Sequence, residues 1–358
     1  MREFRVASVD AVDSATAEGQ RFQAPGGVVP MDLEGRRILV IGGAGLVGSH
    51  VVEELLREPV AEVRIFDNFS RGVRENLEEA VRDPRCRIFE LGGDVCQTDI
   101  LDQAFEGCDA VVHLAALWLL HCQDYPASAF EVNVRGTFNV LQACVHHKVK
   151  RLVYSSSASV YGDAISEPMT EDHPYNNWTF YGATKIAGEH MFKAFHKRYG
   201  LEGVGLRYMN VYGPRQDYRG AYVAVMMKIL DCVDRGEPPT VFGDGTQAYD
   251  FVHVRDVARA NVCALKSEVP FGFYNVGRGV KTSIKELTSL LLELTGSKLP
   301  IHYVPSGTTF VTNRLGCPKA AERDLGFRWS IDLREGMASL IEWRAQHKRQ
   351  VETQRSRA

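Results

Sequence analysis

The chain has 358 residues, enough for roughly two domains or one large one. Hydrophobic residues make up 45% and charged residues 24%, the balance of a globular chain with a full core. A net charge of -3 gives no electrostatic drive toward nucleic acid or an anionic membrane, and no apolar run is long enough to span a bilayer.

The first 34 residues are polar and carry acids where a secretion signal would be hydrophobic; they are expected to form a flexible leader. The 8 cysteines are scattered with no C-x-x-C pair, so neither a zinc site nor a disulfide framework is expected, and no metal. Free thiols fit a reducing, cytoplasmic setting. From residue 35 to 212, apolar runs (RRILVIGG, VRIFD, CRIFEL, DAVVHLAA, RLVYSSS, VGLRYMNVYG) alternate with helical patterns such as SHVVEELLR and AFEVNVRGTFNVLQACVHH. Strands apolar on both faces, separated by helices, predict an α/β fold with a doubly wound parallel sheet. From 213 to 345 the pattern is less regular, with helices predicted at AYVAVMMKILDCVDRG and SIKELTSLLLELTG, and reads mainly as a smaller C-terminal α/β lobe for substrate. Later segments are expected to return to the main sheet. Residues 346–358 are basic and lack apolar periodicity, so a flexible tail is expected.

The strand RRILVIGG runs into Gly42-Gly43-Ala44-Gly45-Leu46-Val47-Gly48 and then a helix. Gly42 allows a tight turn, Gly45 lets the backbone approach a pyrophosphate, and Gly48 permits close helix packing. The amides of Leu46 and Val47 then stand at a helix N-terminus, where phosphates bind. A glycine trio alone is weak evidence; the strand before it and the helix after it supply the context the motif requires. Asp67-Asn68 ends the second strand about 20 residues on, where a carboxylate accepts hydrogen bonds from the adenosine ribose. That acid favours NAD, since a 2′-phosphate would be repelled, while nearby Arg71 keeps NADP open. Asp94-Val95 follows the third strand, near the expected adenine. Leu114-Ala115-Ala116 ends the fourth, where small residues let the backbone lie against a cofactor. Tyr208, closing VGLRY, is placed with the cofactor contacts, and His113 reads as a packed histidine.

Ser157 closes RLVYSSS, and Tyr181 precedes Lys185 by four residues, one face of a helix. A phenol beside an ammonium has its pKa lowered and can take a proton near neutral pH. Lys185 can also hold the cofactor ribose, and Ser157 can share the substrate oxygen.

Taken in order, GGAGLVGSH, FDNFSRG, HLAA, VNVRGTFNVL, YSSSASVYG, YGATK, LRYMNVYGPRQ and VFGDGTQAYDFVHVRDVARA span about Arg36 to Arg344. The chain resembles the extended short-chain dehydrogenase/reductase family with its Rossmann-type sheet, most of all the nucleotide-sugar 4-epimerases typified by UDP-glucose 4-epimerase. The resemblance implies Ser157, Tyr181 and Lys185 as catalytic residues, Asn133 as a cofactor position and Asn210 as a substrate-binding one. It also implies a homodimer, in which helices at about 134–147 and 181–198 meet their symmetry mates.

Dehydratases of the family look like Thr-Asp-Glu where this chain has Ser157-Ala158-Ser159, and decarboxylases keep a Glu at the Ser159 position. With no carboxylate there, the resemblance implies that a 4-keto sugar turns over and is reduced from the other face. The expected activity is NAD-dependent 4-epimerisation of a nucleotide sugar: a UDP-hexose, its uronic acid or its N-acetyl derivative. The family's diphosphate arginines align with Tyr249 and Ser306, leaving Arg215 and Arg314 as substitutes. Trp118 lies in an unexpectedly apolar run beside the sugar, and Asn313 aligns with a size-selecting position. A dehydratase or net oxidoreductase of the same family, or a non-catalytic NAD-binding protein, stays open; nucleic-acid and membrane partners are not expected.

Overall fold

The computed structural model describes residues 30–219, 223–305 and 311–357. Most of the predicted leader, and Ser306, lie outside the described residues. In chain order the first half holds β1 (Arg37–Ile41), α1 (Leu46–Leu56), β2 (Glu62–Phe66), β3 (Cys86–Ile88), α2 (Thr98–Phe105) and β4 (Ala110–His113). It continues through α3 (Leu119–Asp124), α4 (Pro126–Ala129), α5 (Thr137–His146), β5 (Arg151–Ser157), α6 (Phe180–Tyr199) and β6 (Gly203–Tyr208). The second half begins with β7 (Asn210–Tyr212), α7 (Val225–Arg235), β8 (Thr240–Phe242), β9 (Ala248–His253), α8 (Val254–Lys266) and β10 (Phe271–Val276). It ends with β11 (Lys281–Ser283), α9 (Ile284–Leu294), β12 (His302–Val304), β13 (Asn313–Arg314), α10 (Lys319–Leu325) and α11 (Leu333–Arg357).

Strands that are apolar throughout must be covered on both faces, and the main sheet is. Its seven parallel strands run in the order β10-β6-β5-β4-β1-β2-β3. On one face Val51, Val52 and Leu55 of α1 share a core with Val257 and Leu265 of α8. On the other face Leu101 and Phe105 of α2 pack with Val140 and Leu141 of α5 and Phe192 of α6. The expected doubly wound sheet is therefore what the chain builds. Strand order reverses between β1 and β4, and in such sheets ligands bind beyond the carboxyl ends at that switch point.

The smaller lobe sits at that end. A second sheet joins β7, β9, β11 and β13, β8 pairs with β12, and α7, α9 and α11 share a core through Met227, Leu230, Leu287, Leu291, Met337 and Leu340. Helix α9 starts at a capping box, Ser283 with Glu286, which satisfies two of its first free amides. Between the lobe's strands, α8 and β10 go back to the main sheet.

The end of the chain corrects the sequence reading. Residues expected to fray continue α11 to Arg357. The helix is anchored from far away in sequence: Arg344 and Lys348 pair with Asp231 and Asp234 of α7, and the Tyr218 hydroxyl meets His347 Nδ1 at 2.8 Å. Sequence periodicity does not register such partners.

A buried ion pair joins α6, which carries Tyr181 and Lys185, to β6, the strand beside the one that ends in Ser157. Glu189 of α6 and Arg207 of β6 have side chains 2% and 4% exposed and form two hydrogen bonds, 2.9 Å and 2.7 Å. Ser156 donates to Glu189 at 2.5 Å, Tyr175 donates to it at 2.7 Å, and Arg207 also donates to Tyr161 and to the Glu171 carbonyl. Removing one partner strands a buried charge. Glu189→Gln should therefore lower unfolding free energy by about 3–5 kcal/mol, measured by urea titration; a loss below about 1 kcal/mol would show that the network does not hold α6 to the sheet.

Candidate functional site

A cavity of about 730 Å³ lies at the switch point, walled by the glycine turn, the Asp67 loop and the ends of β4, β5 and β6. Gly42 adopts φ +82, and a Cβ there would stand 2.7 Å from the Ala115 amide nitrogen. A Cβ on Gly48 would overlap the Gly42 carbonyl oxygen. The turn thus lies tight against both its own helix and the β4 end. Helix α1 has no side-chain cap, so the Leu46, Val47 and Gly48 amides are available at its N-terminus. Asp67 accepts hydrogen bonds from the Ala44 and Phe69 amides, both 2.8 Å, which fixes its carboxylate on the cavity wall. Burial raises its pKa and the two amides pull it back down. Gly45, Asn68, Asp94, Val95, Leu114, Ala116 and Tyr208 line the same cavity. Close-packed glycines, free helix amides and a wall carboxylate fit an adenine dinucleotide.

Ser157, Tyr181 and Lys185 come together on one side of this cavity. Thr179 caps α6 by accepting from the Gly182 amide, which starts the helix one turn before Lys185. Ser157 is within hydrogen-bonding reach of the Tyr181 phenol, and the Lys185 ammonium donates to the Ser155 carbonyl at 2.7 Å while lying 5.7 Å from the Tyr181 ring centroid. The protein alone does not lower the phenol's pKa. Burial pushes Tyr181 up to about 12, against opposing pulls from Ser157, Arg314 and Arg71, and burial pushes Lys185 down to about 8. The Lys185 ammonium is not among the groups that pull the phenol down, and desolvation dominates both residues. His113 is buried beside Thr137 at 3.1 Å and neutral, as a packed histidine.

A second cavity, about 820 Å³, opens toward the smaller lobe and shares Asn210, Leu119 and Arg314 with the first. Ser159 and Tyr249 line it. Tyr249 and Arg314 are register partners on the parallel strands β9 and β13, and the Tyr249 hydroxyl donates to the Val311 carbonyl at 2.8 Å. Two buried polar atoms on the shared wall have no partner among the described residues: Asn210 Oδ1 and Arg314 Nε. Burial holds the Arg314 guanidinium below its ordinary pKa, at about 10, so it remains charged at neutral pH. Trp178 and Phe242, 58% and 54% exposed, present aromatic rings in this cavity, and Gln247 joins them. Sequence reading missed these three because nothing local marks an exposed aromatic as part of a pocket.

Four expected contacts are placed differently. Asn133 lines neither cavity; its amide bonds the Leu117 backbone at 2.7 Å and 2.9 Å and Thr184 at 3.1 Å, so it fastens the chain after β4 to α6. Asn313 also lines neither, being paired with Ala248 on β9. Arg215 lines the cofactor-side cavity, where it forms an ion pair with Glu53 of α1, which neutralises it. Trp118 likewise stands on that side.

The buried lysine has a thermodynamic signature. Its folded pKa of about 8 lies below the exposed value of about 10.4, so between those values the unfolded chain binds more protons. This group's penalty is full below pH 8 and fades as pH rises toward 10. The stability difference between wild type and Lys185→Met should thus shift in favour of wild type across that window, read from urea midpoints; a flat difference would place the amine in water.

Comparison with known proteins agrees with this geometry. A relative from Methanocaldococcus jannaschii, described as a putative UDP-glucose 4-epimerase, is 34% identical over 312 residues, covering 86% of this chain and 97% of that one. A dTDP-glucose 4,6-dehydratase from Actinoplanes sp. is 31% identical over 322 residues, covering 86% and 97%. The structure of Thermus thermophilus UDP-glucose 4-epimerase in complex with NAD superposes with a TM-score of 0.76 at 32% identity, covering 86% of this chain and 99% of that one. The model of the NAD dependent epimerase/dehydratase family matches residues 38–277. Since that match runs from the first strand of the main sheet to the last, the chain belongs to the NAD-dependent epimerase/dehydratase family.

Proposed function

We propose that this protein is a 4-epimerase of a nucleotide-activated sugar, with NAD in the cavity at the switch point and the nucleotide in the cavity beside it. The observation that carries this reading is the shared wall. Among the described residues, Asn210 Oδ1 and Arg314 Nε are buried without partners where the two cavities meet, and an unsatisfied buried polar atom is costly unless a ligand completes it. A sugar diphosphate offers hydroxyl donors to the asparagine and phosphate oxygens to the arginine. Arg314 stands one strand aside from Tyr249, where relatives in the resemblance carry an arginine.

In this reading Tyr181 takes the proton of the sugar 4-hydroxyl, and Ser157 shares that oxygen. Gly42, Gly45, Asp67 and Lys185 would hold NAD, which would supply reversible hydride transfer at carbon 4. Lys185, anchored on the Ser155 carbonyl, holds the ribose. With Ala158 and Ser159 after Ser157, no carboxylate at that strand end eliminates water, which favours return of the hydride to the opposite face.

A panel of UDP-, CDP-, GDP- and dTDP-sugars, incubated without added cofactor and read by product stereochemistry, tests the reaction class. Inversion at carbon 4 is expected; a 4-keto-6-deoxy product would make the protein a dehydratase instead. Tyr181→Phe should reduce turnover by about 10²–10⁴-fold with the fold intact. Near-normal turnover would put the base elsewhere.

The same reading includes a homodimer. Phe138 on α5 is exposed and meets Phe195 of α6 edge-on at 5.7 Å, an apolar face on the two helices expected to pair. Light scattering should give twice the chain mass at micromolar concentration, and Phe138→Glu should give a monomer. A wild-type monomer would refute the pairing.

A further inference from the structure

Arg71 is a cation in the cofactor-side cavity that no group among the described residues holds by a hydrogen bond. It follows the Asp67 loop and lines the cavity with Gly45, Trp118 and Lys185. Its guanidinium carbon lies 4.1 Å from the centroid of the Trp118 ring. Among the described residues its N–H groups also make no ion pair; the charged groups it senses are Asp217 and the Tyr181 phenol. Trp118 is itself part of the apolar run that departs from what the family resemblance implies beside the sugar.

A guanidinium stacked on an indole keeps its edge free. That edge presents paired N–H donors in the fork that matches two oxygens of a phosphate group, a geometry an ammonium cannot offer. The uncapped N-terminus of α1, which favours anions through its amides and dipole, lines the same cavity, and the residue after Arg71 packs on the turn that leads into it: a Cβ on Gly72 would stand 2.6 Å from the Ala44 carbonyl carbon. We propose that Arg71, lying over the Trp118 ring, is a diphosphate-binding residue whose donors join the α1 amides around the ligand. The proposal rests on the reading of this cavity as the NAD site. Two ligands bring a diphosphate here, the cofactor and the nucleotide sugar.

The test uses the purified holoprotein. One arm follows exchange of bound NAD for isotopically labelled NAD; the other measures UDP binding by calorimetry, each at low and high salt. Arg71→Gln should accelerate NAD exchange or weaken UDP by about 10- to 100-fold, the range for losing charged hydrogen bonds. Arg71→Lys should recover part of the loss, and Trp118→Leu should cause a smaller one. The salt dependence of the affected arm should also flatten in Arg71→Gln, which a purely structural role would not produce. A change in the NAD arm alone assigns the cofactor's diphosphate, and a change in the UDP arm alone assigns the substrate's. If both arms stay within twofold of wild type, or the loss carries no change in salt dependence, the proposal is wrong. Neither arm needs turnover, so failure of the sugar panel leaves this result readable.

Discussion

The pairing of Glu189 with Arg207 is the constraint on which the site's geometry depends. Two ions nearly removed from water are tolerable only when every lone pair and proton finds a partner, and here Ser156, Tyr161, Tyr175 and the Glu171 carbonyl supply them. Ser156 is the neighbour of Ser157, and Glu189 lies on the helix that bears Tyr181 and Lys185. The same bonds that neutralise the pair therefore set the height of α6 against the end of β5. Slippage of either element would break several buried hydrogen bonds at once, so the serine, the phenol and the amine keep their spacing.

Around that rigid frame the electrostatics are unfinished. Burial raises the Tyr181 phenol and depresses the Lys185 amine, so desolvation resists the charge on each. Arg71 and Arg314 pull the phenol the other way, and both sit where ligand phosphates are proposed to bind. Phosphate oxygens on those two guanidiniums would weaken that pull, so burial remains the larger effect on the phenol.

How much of this was legible in the sequence depended on how local the signal is. The glycine turn, Asp67 at a strand end and the Tyr181–Lys185 spacing are each set within one strand–turn–helix unit, and all of them reach the cavity. That Asn133's amide serves the Leu117 backbone, 16 residues away, was not legible, because no motif encodes it. The sign of the Tyr181 shift was misread because spacing reveals a neighbour and not the depth of burial. Arg314 was recognisable as a substitute, yet its standing beside Tyr249 comes from a strand register found only in the folded lobe. The α11 extension was hidden for a similar reason, since its anchors on α7 lie more than a hundred positions earlier.

That last contact orders the protein's assembly in time. Asp231 belongs to the wall of the cavity proposed for the nucleotide, and its helix is braced by Arg344 near the end of the chain. The seven-stranded sheet has all its strands once Val276 has been synthesised, and of the cofactor-side cavity's lining only Arg314 is still to come. The neighbouring wall has to wait for α11. During synthesis, where domains form roughly from the N-terminus onward, the cavity proposed for the dinucleotide precedes the one proposed for the sugar nucleotide. A nascent chain would thus have most of its cofactor-side cavity before the proposed nucleotide cavity has its last wall.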